Sequence, residues 1–292
     1  MQVREAITQG RNDVVVLTRE LDRDEPGPGE MLLETVATFI SAGTELAIYT
    51  GLDPEAERPG NWCSYPFRPG YANVSRVIAV GDGVRAASVG DRVFTMHSHV
   101  SHHFATGTGR DMTVHVPDGL DDGTAAAARM AMVSITALQV ADLELNEWVA
   151  VLGLGQVGNL AAQLFNLSGA RVIGIDPVGA RRELAQRVGV EHVVGGSPEE
   201  VAEAVKSLTG GDGVRISVEA VGDVRVVRQA ADLTADHGEV IFLGSPRASV
   251  QADLNEALHP VHYRWVTLKG ALEWRVPMEP APPVRNSTRG NL

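Results

Sequence analysis

A short apolar run that ends in three spaced glycines constrains the fold of this chain more than any other feature. The run is Trp148–Leu152, and the turn after it reads Gly153-Leu154-Gly155-Gln156-Val157-Gly158. Between a strand and a helix, this spacing predicts a dinucleotide site, because the first glycine permits the turn, the second admits a pyrophosphate and the third lets the helix pack closely. Apolar residues then recur at helical spacing, at Val157, Leu160, Ala161, Leu164 and Leu167. The amides at the start of this helix would therefore face the phosphates.

An acid at the end of the next predicted strand supports the same site. Arg171–Asp176 follows the helix, and Asp176 lies about 20 residues past the glycines, where an acid accepts the hydroxyls of an adenosine ribose. Asp176 also suits the cap of the following helix, and the two roles are compatible. Because an acid repels a 2′-phosphate, NAD(H) is favoured, while Arg181 and Arg182 nearby keep NADP(H) possible.

Size and charge exclude several classes of protein. With 292 residues, 44% hydrophobic and 21% charged, the chain is long enough for two soluble domains. The sequence shows neither a membrane-spanning segment nor a signal peptide, so we expect a cytoplasmic protein with no membrane partner. Cys63 is the only cysteine, which excludes an internal disulfide and a multi-thiolate metal site. A net charge of −12 without a basic run predicts that nucleic acid is not a partner.

The pattern along the chain predicts an α/β protein of two parts. The first third contains short strand-like segments between turn residues: 13–18, 31–39, 72–81, 91–96 and 112–116. The alanine-rich stretch 124–143 predicts a helix. Afterwards strands at 149–152, 171–176, 192–194, 214–219, 239–243 and 266–270 alternate with helices near 178, 198, 224 and 253. Strict alternation of this kind is typical of a parallel, doubly wound sheet covered on both faces.

Further motifs resemble the medium-chain dehydrogenase/reductase family along nearly the whole chain. They are Val80-Gly81-Asp82-Gly83-Val84, Val89-Gly90-Asp91-Arg92-Val93, Val116-Pro117-Asp118-Gly119-Leu120, Val218-Glu219-Ala220-Val221-Gly222 and Ile241-Phe242-Leu243-Gly244. Within the family, Phe39–Glu45 and Tyr65–Tyr71 are most similar to the bacteriochlorophyllide dehydrogenase (BchC-type) branch. The resemblance implies a GroES-like β-rich catalytic domain at 1–122, a Rossmann NAD-binding domain at 123–272 and a Pro-rich tail at 273–292. It also implies cofactor contacts from Gln156, Val157, Ala220, Val221 and Gly244.

The chain departs from the family pattern where zinc-dependent members carry their catalytic ligands. Ala42 stands at the position of the ligand cysteine, Tyr71 at that of the histidine, and Arg129 at that of the usual acid. None of these side chains is a zinc ligand of the usual kind, so no zinc is expected. Only a short Pro-rich tail follows residue 272, where the family returns to its catalytic domain through several more elements, so we expect either a truncated form or a catalytic domain that closes differently.

Without zinc, the proton must come from a side chain. Thr44 matches the family hydroxyl beside the ligand cysteine and is either a proton relay or a turn-stabilising residue. Tyr71 either donates its phenol proton or forms an aromatic wall.

The segment Met96-His97-Ser98-His99-Val100-Ser101-His102-His103 leaves three interpretations open. If it is extended, His97, His99 and His103 share one face, with His102 opposite. The histidines are then ordinary surface or core residues, a general acid/base, or a metal site. His102 or His103 is the predicted acid, and its replacement by Ala is expected to lower kcat by roughly two to four orders of magnitude. Glu45 either orients such a histidine or caps the helix after it.

These observations predict a zinc-independent, NAD(H)-dependent oxidoreductase that moves hydride between the nicotinamide and an alcohol or ketone carbon. Two alternatives stay open. One is a C=C reductase of the enoyl or quinone type in the same family, and the other is a non-catalytic nucleotide-binding protein. The resemblance also implies a homodimer that forms through the last Rossmann strand.

Overall fold

The computed structural model describes residues 1–247, 250–251, 253–277, 279 and 286–292, with the backbone alone at residues 110 and 257. The chain divides into two compact units, Met1–Arg129 with Pro277–Leu292, and Met130–Val276. The sequence prediction drew this division after residue 122, and the Pro-rich stretch of its predicted tail, at 280–283, lies outside the described residues. No described helix combines the length and the apolar character that a membrane crossing requires.

The first unit is built on antiparallel strands. β1 (Gln2–Gly10) and β2 (Asp13–Glu20) pair as a hairpin. Five strands form a sheet in the order β6-β3-β4-β5-β7: β3 (Met31–Thr38), β4 (Asn73–Val80), β5 (Arg92–Thr95), β6 (His102–Ala105) and β7 (Thr113–His115). Helix α1 (Thr44–Tyr49) and 3-10 turns at Pro54–Glu57 and Gly109–Asp111 lie between strands, and α8 (Thr288–Asn291) closes the chain. The sequence did not predict β1 or β6, since both combine polar and apolar residues without clean alternation.

The second unit is a parallel sheet of six strands in the order β10-β9-β8-β11-β12-β13. Its strands are β8 (Trp148–Leu152), β9 (Arg171–Ile175), β10 (His192–Val194), β11 (Val214–Glu219), β12 (Thr234–Phe242) and β13 (Thr267–Gly270). Its connecting helices are α3 (Gln156–Leu167), α4 (Gly179–Arg187), α5 (Pro198–Thr209), α6 (Val224–Leu233) and α7 (Leu254–Tyr263), with a 3-10 turn at Glu273–Arg275. Helix α2 (Asp122–Val140) precedes β8 and crosses the division between the units. The predicted α/β class, with a β-rich part and a doubly wound parallel sheet, is confirmed.

Alternate residues of β8 face two separate hydrophobic cores. Val149 and Val151 pack with apolar residues of α2 and α3, including Phe165. Ala150 and Leu152 pack on the opposite face against α5 and α6. Because both faces of the strand are buried, β8 is a continuous apolar run with no polar side, and its carboxyl end is held rigidly where the glycine turn begins.

Candidate active site

The three glycines lie at the carboxyl end of β8, and two of them are required by close backbone packing. A Cβ on Gly158 would lie 1.8 Å from the carbonyl oxygen of Gly153, and one on Gly153, whose φ is +95°, would lie 2.7 Å from Val221 Cγ2. A Cβ on Gly155 would meet nothing within 4 Å. Gly155 is the N-cap of α3 and has no side chain with which to cap it, so the amides of Gln156 and Val157 are available to an anion.

The loops after β11 and β12 join the same edge of the sheet. Ala220 Cβ would lie 3.1 Å from a Cβ on Gly158, so the β11 loop packs against the start of α3. A Cβ on Gly244 would lie 2.3 Å from the nitrogen of Gly222, so the β11 and β12 loops touch backbone to backbone. The structure therefore brings together the predicted cofactor residues Ala220, Val221 and Gly244 with the glycine turn, and this edge fits a dinucleotide.

Glu219 fixes the shape of the β11 loop, a role that the sequence prediction missed. Its side chain is 1% exposed, and Oε1 accepts hydrogen bonds from the amides of Val221 (2.7 Å) and Gly222 (2.8 Å). Burial raises the pKa of this carboxyl group, while the amide donors act in the opposite direction. An acid at the end of the predicted strand, directly before Ala220, was the available signal.

Asp176 lies beside the glycine turn, as predicted, and its carboxylate already has donors from its own chain. Oδ2 accepts the amide of Leu154 and Oδ1 that of Val178, both at 2.8 Å. The guanidinium of Arg181 lies 3.4 Å from Oδ2, and Arg182 donates to the Asp176 carbonyl oxygen at 2.7 Å. Asp176 is 1% exposed. The acid therefore holds the turn in place, and both predicted arginines lie directly beside it.

In the first unit, Tyr71 lies among two hydroxyl groups and a cation. The hydroxyls of Ser41 and Thr44 form hydrogen bonds that lower the pKa of the Tyr71 phenol, and so does the positive charge of Arg129. Burial is the largest influence and raises that pKa above its usual value. Arg129 Cζ lies 4.8 Å from the centre of the Tyr71 ring, and Arg129 is 2% exposed. Thus Thr44 and Tyr71, predicted separately, form one cluster.

Glu45 contacts a histidine other than the predicted His102 or His103. It does not cap α1, because no side chain forms a cap hydrogen bond at Gly43, the N-cap of that helix. Its Oε1 accepts the amide of Ser41 at 2.9 Å, ahead of α1, and its Oε2 lies 2.7 Å from Nε2 of His99. Glu45 is buried, and the side chain of His99 is 14% exposed. The backbone of His99 is in turn fixed against Gly70, where a Cβ would lie 2.5 Å from the His99 nitrogen. Glu45 therefore links α1 to the segment beside Tyr71.

The remaining histidines lie elsewhere in the unit. His103 is 4% exposed, its ring stacks on that of His97 with centres 3.9 Å apart, and its Nε2 lies 3.3 Å from the hydroxyl of Thr95. Burial lowers the pKa of His103 well below its usual value and that of His97 to a smaller extent. His103 therefore stays neutral near pH 7.

His102, on β6, lies beside Ser101, with its Nδ1 at 3.1 Å from the hydroxyl, and its Nε2 lies 3.9 Å from Glu34. The segment from His97 to Ser101 is not a strand, so His99 does not join the face of His97 and His103. His102 and His103 remain candidate acids by prediction, but their contacts are with the sheet rather than with the Tyr71 cluster.

The positions where family members hold catalytic zinc do not suit that metal. Ala42 has no donor atom, a protonated phenol is a poor ligand, and the guanidinium of Arg129 is a cation. Within the described part of the chain, no group of three or more His, Cys, Asp or Glu side chains is arranged to hold a metal ion. No step of chemistry is therefore assigned to zinc.

Comparisons with known proteins agree with this architecture. Residues 157–278 match the family model described as zinc-binding dehydrogenase. The L-threonine 3-dehydrogenase of Pyrococcus abyssi is 27% identical over 271 residues, which cover 82% of this chain and 75% of that relative.

Two solved structures share the fold. A zinc-binding dehydrogenase of Sinorhizobium meliloti 1021 bound to NADP has a TM-score of 0.77 at 20% identity and covers 93% of this chain and 84% of its own. Acetophenone reductase of Geotrichum candidum in complex with NAD has a TM-score of 0.74 at 20% identity, and the match covers 93% of this chain and 82% of the reductase. The chain is therefore similar in sequence to dehydrogenases and in fold to dehydrogenase structures solved with NADP or NAD.

Proposed function

We propose that this protein is a zinc-independent oxidoreductase that moves hydride between NAD(H) and an alcohol or ketone carbon of a small molecule. The observation that carries the proposal is the stacking of Arg129 on Tyr71, at two positions to which the family resemblance assigns zinc ligands. A cation and a phenol there replace ligands with groups that polarise and protonate an oxygen atom.

The glycine turn and the loops after β11 and β12 would hold the dinucleotide, with the pyrophosphate at the start of α3 and a ribose near Asp176. The nicotinamide supplies or accepts the hydride when it is bound. The chain itself binds and orients the substrate and the cofactor, and it moves the proton. Thr44 and Tyr71, in the first unit, are the candidates for the proton transfer. Asp176 supports NAD(H) as the favoured cofactor, and the names of relatives that act on alcohols and ketones support the substrate class.

The test is turnover by the full chain with a panel of secondary alcohols, ketones and activated enones, with and without a chelator. We expect alcohol or ketone turnover that a chelator does not change, and substoichiometric zinc by elemental analysis after dialysis. NADH deuterated at C4 should place deuterium on the carbinol carbon. Deuterium at the β carbon of an enone would assign a C=C reductase, and cofactor binding without any turnover would assign a nucleotide-binding protein. One zinc per chain with chelator-sensitive activity would overturn the zinc-independent assignment.

A homodimer belongs to this proposal. β13 is an edge strand of the six-stranded sheet, and within the described chain it pairs with β12. An open edge beside exposed apolar residues is a template for pairing with a second copy across a two-fold axis. Large apolar side chains in and around this strand are exposed: Tyr263 (64%), Trp265 (59%), Leu268 (39%), Leu272 (57%) and Trp274 (49%).

The mass in solution tests the dimer. Light scattering should give twice the 31.1 kDa chain mass, and Leu268→Lys should shift the protein toward the monomer, because a charge on the edge strand opposes pairing. A wild-type monomer at micromolar concentration would contradict the dimer.

The other parts of the proposal are a cytoplasmic location, a small-molecule substrate, and the absence of nucleic acid and membrane partners. The net charge of −12 supports the exclusion of nucleic acid, because an acidic surface repels a phosphate backbone.

A further inference from the structure

Arg129 is a buried cation placed against the face of an aromatic ring whose hydroxyl group can donate a proton. It lies on α2, is 2% exposed, and its Cζ is 4.8 Å from the centre of the Tyr71 ring. A charged side chain is rarely buried to this extent, since removing it from water is costly unless its surroundings compensate. The position therefore calls for an account beyond packing.

The phenol of Tyr71 is under opposing influences. Burial and the negative charge of Glu45 raise its pKa, whereas hydrogen bonds from Ser41 and Thr44 and the charge of Arg129 lower it. Because the net direction is upward, Tyr71 is protonated at neutral pH and is a donor rather than a base. The groups that lower the pKa are those that stabilise the phenolate once its proton has left.

We propose that Arg129 is the fixed positive charge that enables Tyr71 to act as the proton donor to the carbonyl oxygen. This inference rests on the proposed function. In the reductive direction the carbonyl carbon gains a hydride from the reduced nicotinamide cofactor, and the π electron pair of the carbonyl group moves to its oxygen. The Tyr71 O–H bond breaks, its proton bonds to that oxygen, and the phenolate remains, stabilised by Arg129, Ser41 and Thr44. Tyr71 is then the catalytic residue, and Arg129 is a positioning residue that acts through it.

The charged and titratable groups around Tyr71 come from three elements. Arg129 approaches from α2, Glu45 from α1, and His99, which is bonded to Glu45, from the segment after β5. Loss of Arg129 removes the positive charge that opposes Glu45, so the pKa of the phenol should rise. The variant Tyr71→Phe keeps the ring under Arg129 and removes only the hydroxyl group that donates the proton.

The first experiment needs no substrate. The four tyrosines of the chain are replaced by 3-fluorotyrosine, and fluorine NMR follows their titration, with Tyr71→Phe assigning the resonance of Tyr71. Arg129→Met should raise the pKa of Tyr71 by about one unit or more, and Arg129→Lys should restore part of the difference. Arg76→Met, which removes an exposed arginine from β4, should leave the Tyr71 resonance unchanged. An unchanged Tyr71 pKa in Arg129→Met overturns the role of Arg129.

The second experiment measures ketone reduction as a function of pH. Tyr71→Phe should lower kcat by about 10²–10⁴-fold with little change in cofactor affinity. Arg129→Met should lower kcat by about tenfold or more and move the alkaline decline of the rate to higher pH, because the phenol titrates later. The hydroxyl of Tyr49 contacts the Asn12 carbonyl oxygen, so Tyr49→Phe should retain wild-type kinetics.

The outcomes distinguish the role of Tyr71 from that of Arg129, and both roles from the proposed function. Near-wild-type turnover in Tyr71→Phe overturns the proposal even if neither Arg129 variant folds. Turnover lost in Tyr71→Phe but unchanged in Arg129→Met leaves Tyr71 as the donor and rejects Arg129. If the wild-type chain reduces no substrate, the proposed function fails, whereas the fluorine titration still reports whether Arg129 tunes Tyr71.

Discussion

The carboxyl edge of the parallel sheet and the cluster around Tyr71 differ in what fixes their geometry. At the sheet edge, backbone packs on backbone through Gly153, Gly158 and Gly244, so side chains are excluded by contact. Around Tyr71, side chains from segments far apart in the sequence meet: Glu45 with His99, and Arg129 with Tyr71. A site fixed by backbone tolerates few substitutions, whereas a site fixed by side chains can exchange its chemistry while the backbone is retained. The proposed replacement of zinc ligands by a phenol and a cation would be an exchange of this kind.

The largest expected effects test the rigidity of the sheet edge. Gly158→Ala places a methyl group 1.8 Å from the Gly153 carbonyl oxygen, so the turn and α3 must move apart. We expect a loss of about 3 kcal/mol or more in the free energy of unfolding, the upper end for overpacking, together with loss of NADH binding. Urea denaturation and a fluorescence titration with NADH measure the two quantities.

Gly155→Ala is the matched control at the same turn. Its φ of −66° suits any residue, and its Cβ would meet nothing within 4 Å, so the free energy of unfolding should change by less than about 0.5 kcal/mol. NADH binding should still weaken by about tenfold or more, because the methyl group stands where the pyrophosphate approaches. Equal stability of the two variants would contradict the distinction between a packing glycine and a ligand glycine.

This difference also explains how much the sequence could predict. The sheet edge was predictable because its requirements are local: a buried strand, three glycines at fixed spacing and an acid at the end of the next strand. Asp176 lies beside the glycine turn and Gly244 against the β11 loop, at the same edge of the sheet. The partner of Glu45 was not predictable, because the choice between His99 and its neighbours depends on how the segment after β5 bends against Gly70. The stacking of Arg129 on Tyr71 joins residues that are distant in the sequence, and no local pattern reports it.

The buried histidines of the first unit predict a loss of stability in acid. The pKa of His103 is well below its usual value in the folded chain, so below about pH 6.5 the unfolded chain binds a proton that the folded chain does not. Stability should therefore fall as the pH is lowered from 7 to 5, by up to about 1.4 kcal/mol per pH unit for each such histidine. His97, whose pKa is also lowered, adds to the slope.

Urea denaturation at pH 7, 6 and 5 measures this slope. His103→Gln should flatten it, while His262→Gln, at an exposed position in the second unit, should leave it unchanged. The same variants, with His102→Gln, test the acid predicted from the sequence. If His102→Gln and His103→Gln both retain turnover, the proton comes from elsewhere, as the Tyr71 proposal expects. If either variant loses turnover while its folding is intact, the histidine is the acid and the Tyr71 proposal is contradicted.

The smallest expected effect concerns the choice of cofactor at Asp176. The carboxylate should accept ribose hydroxyls and repel a 2′-phosphate, so the wild-type chain should bind NADH more tightly than NADPH. Asp176→Asn removes the charge and keeps one oxygen, which can accept the amide of either Leu154 or Val178, so urea denaturation should accompany the affinity measurement to separate the lost charge from the lost hydrogen bond. Calorimetric titration should show that the variant lowers the ratio of the NADPH and NADH dissociation constants by about tenfold, or roughly 1.4 kcal/mol.

Two further variants separate the charge of Asp176 from the charges of its neighbours. Arg181→Gln should act in the opposite direction and weaken NADPH binding alone, since its guanidinium lies 3.4 Å from the same carboxylate. Asp232→Asn, on the exposed face of α6, removes one negative charge far along the chain and should change neither affinity. A wild-type preference for NADPH would mean that Arg181 and Arg182 outweigh Asp176 and that the acid serves only to hold the glycine turn.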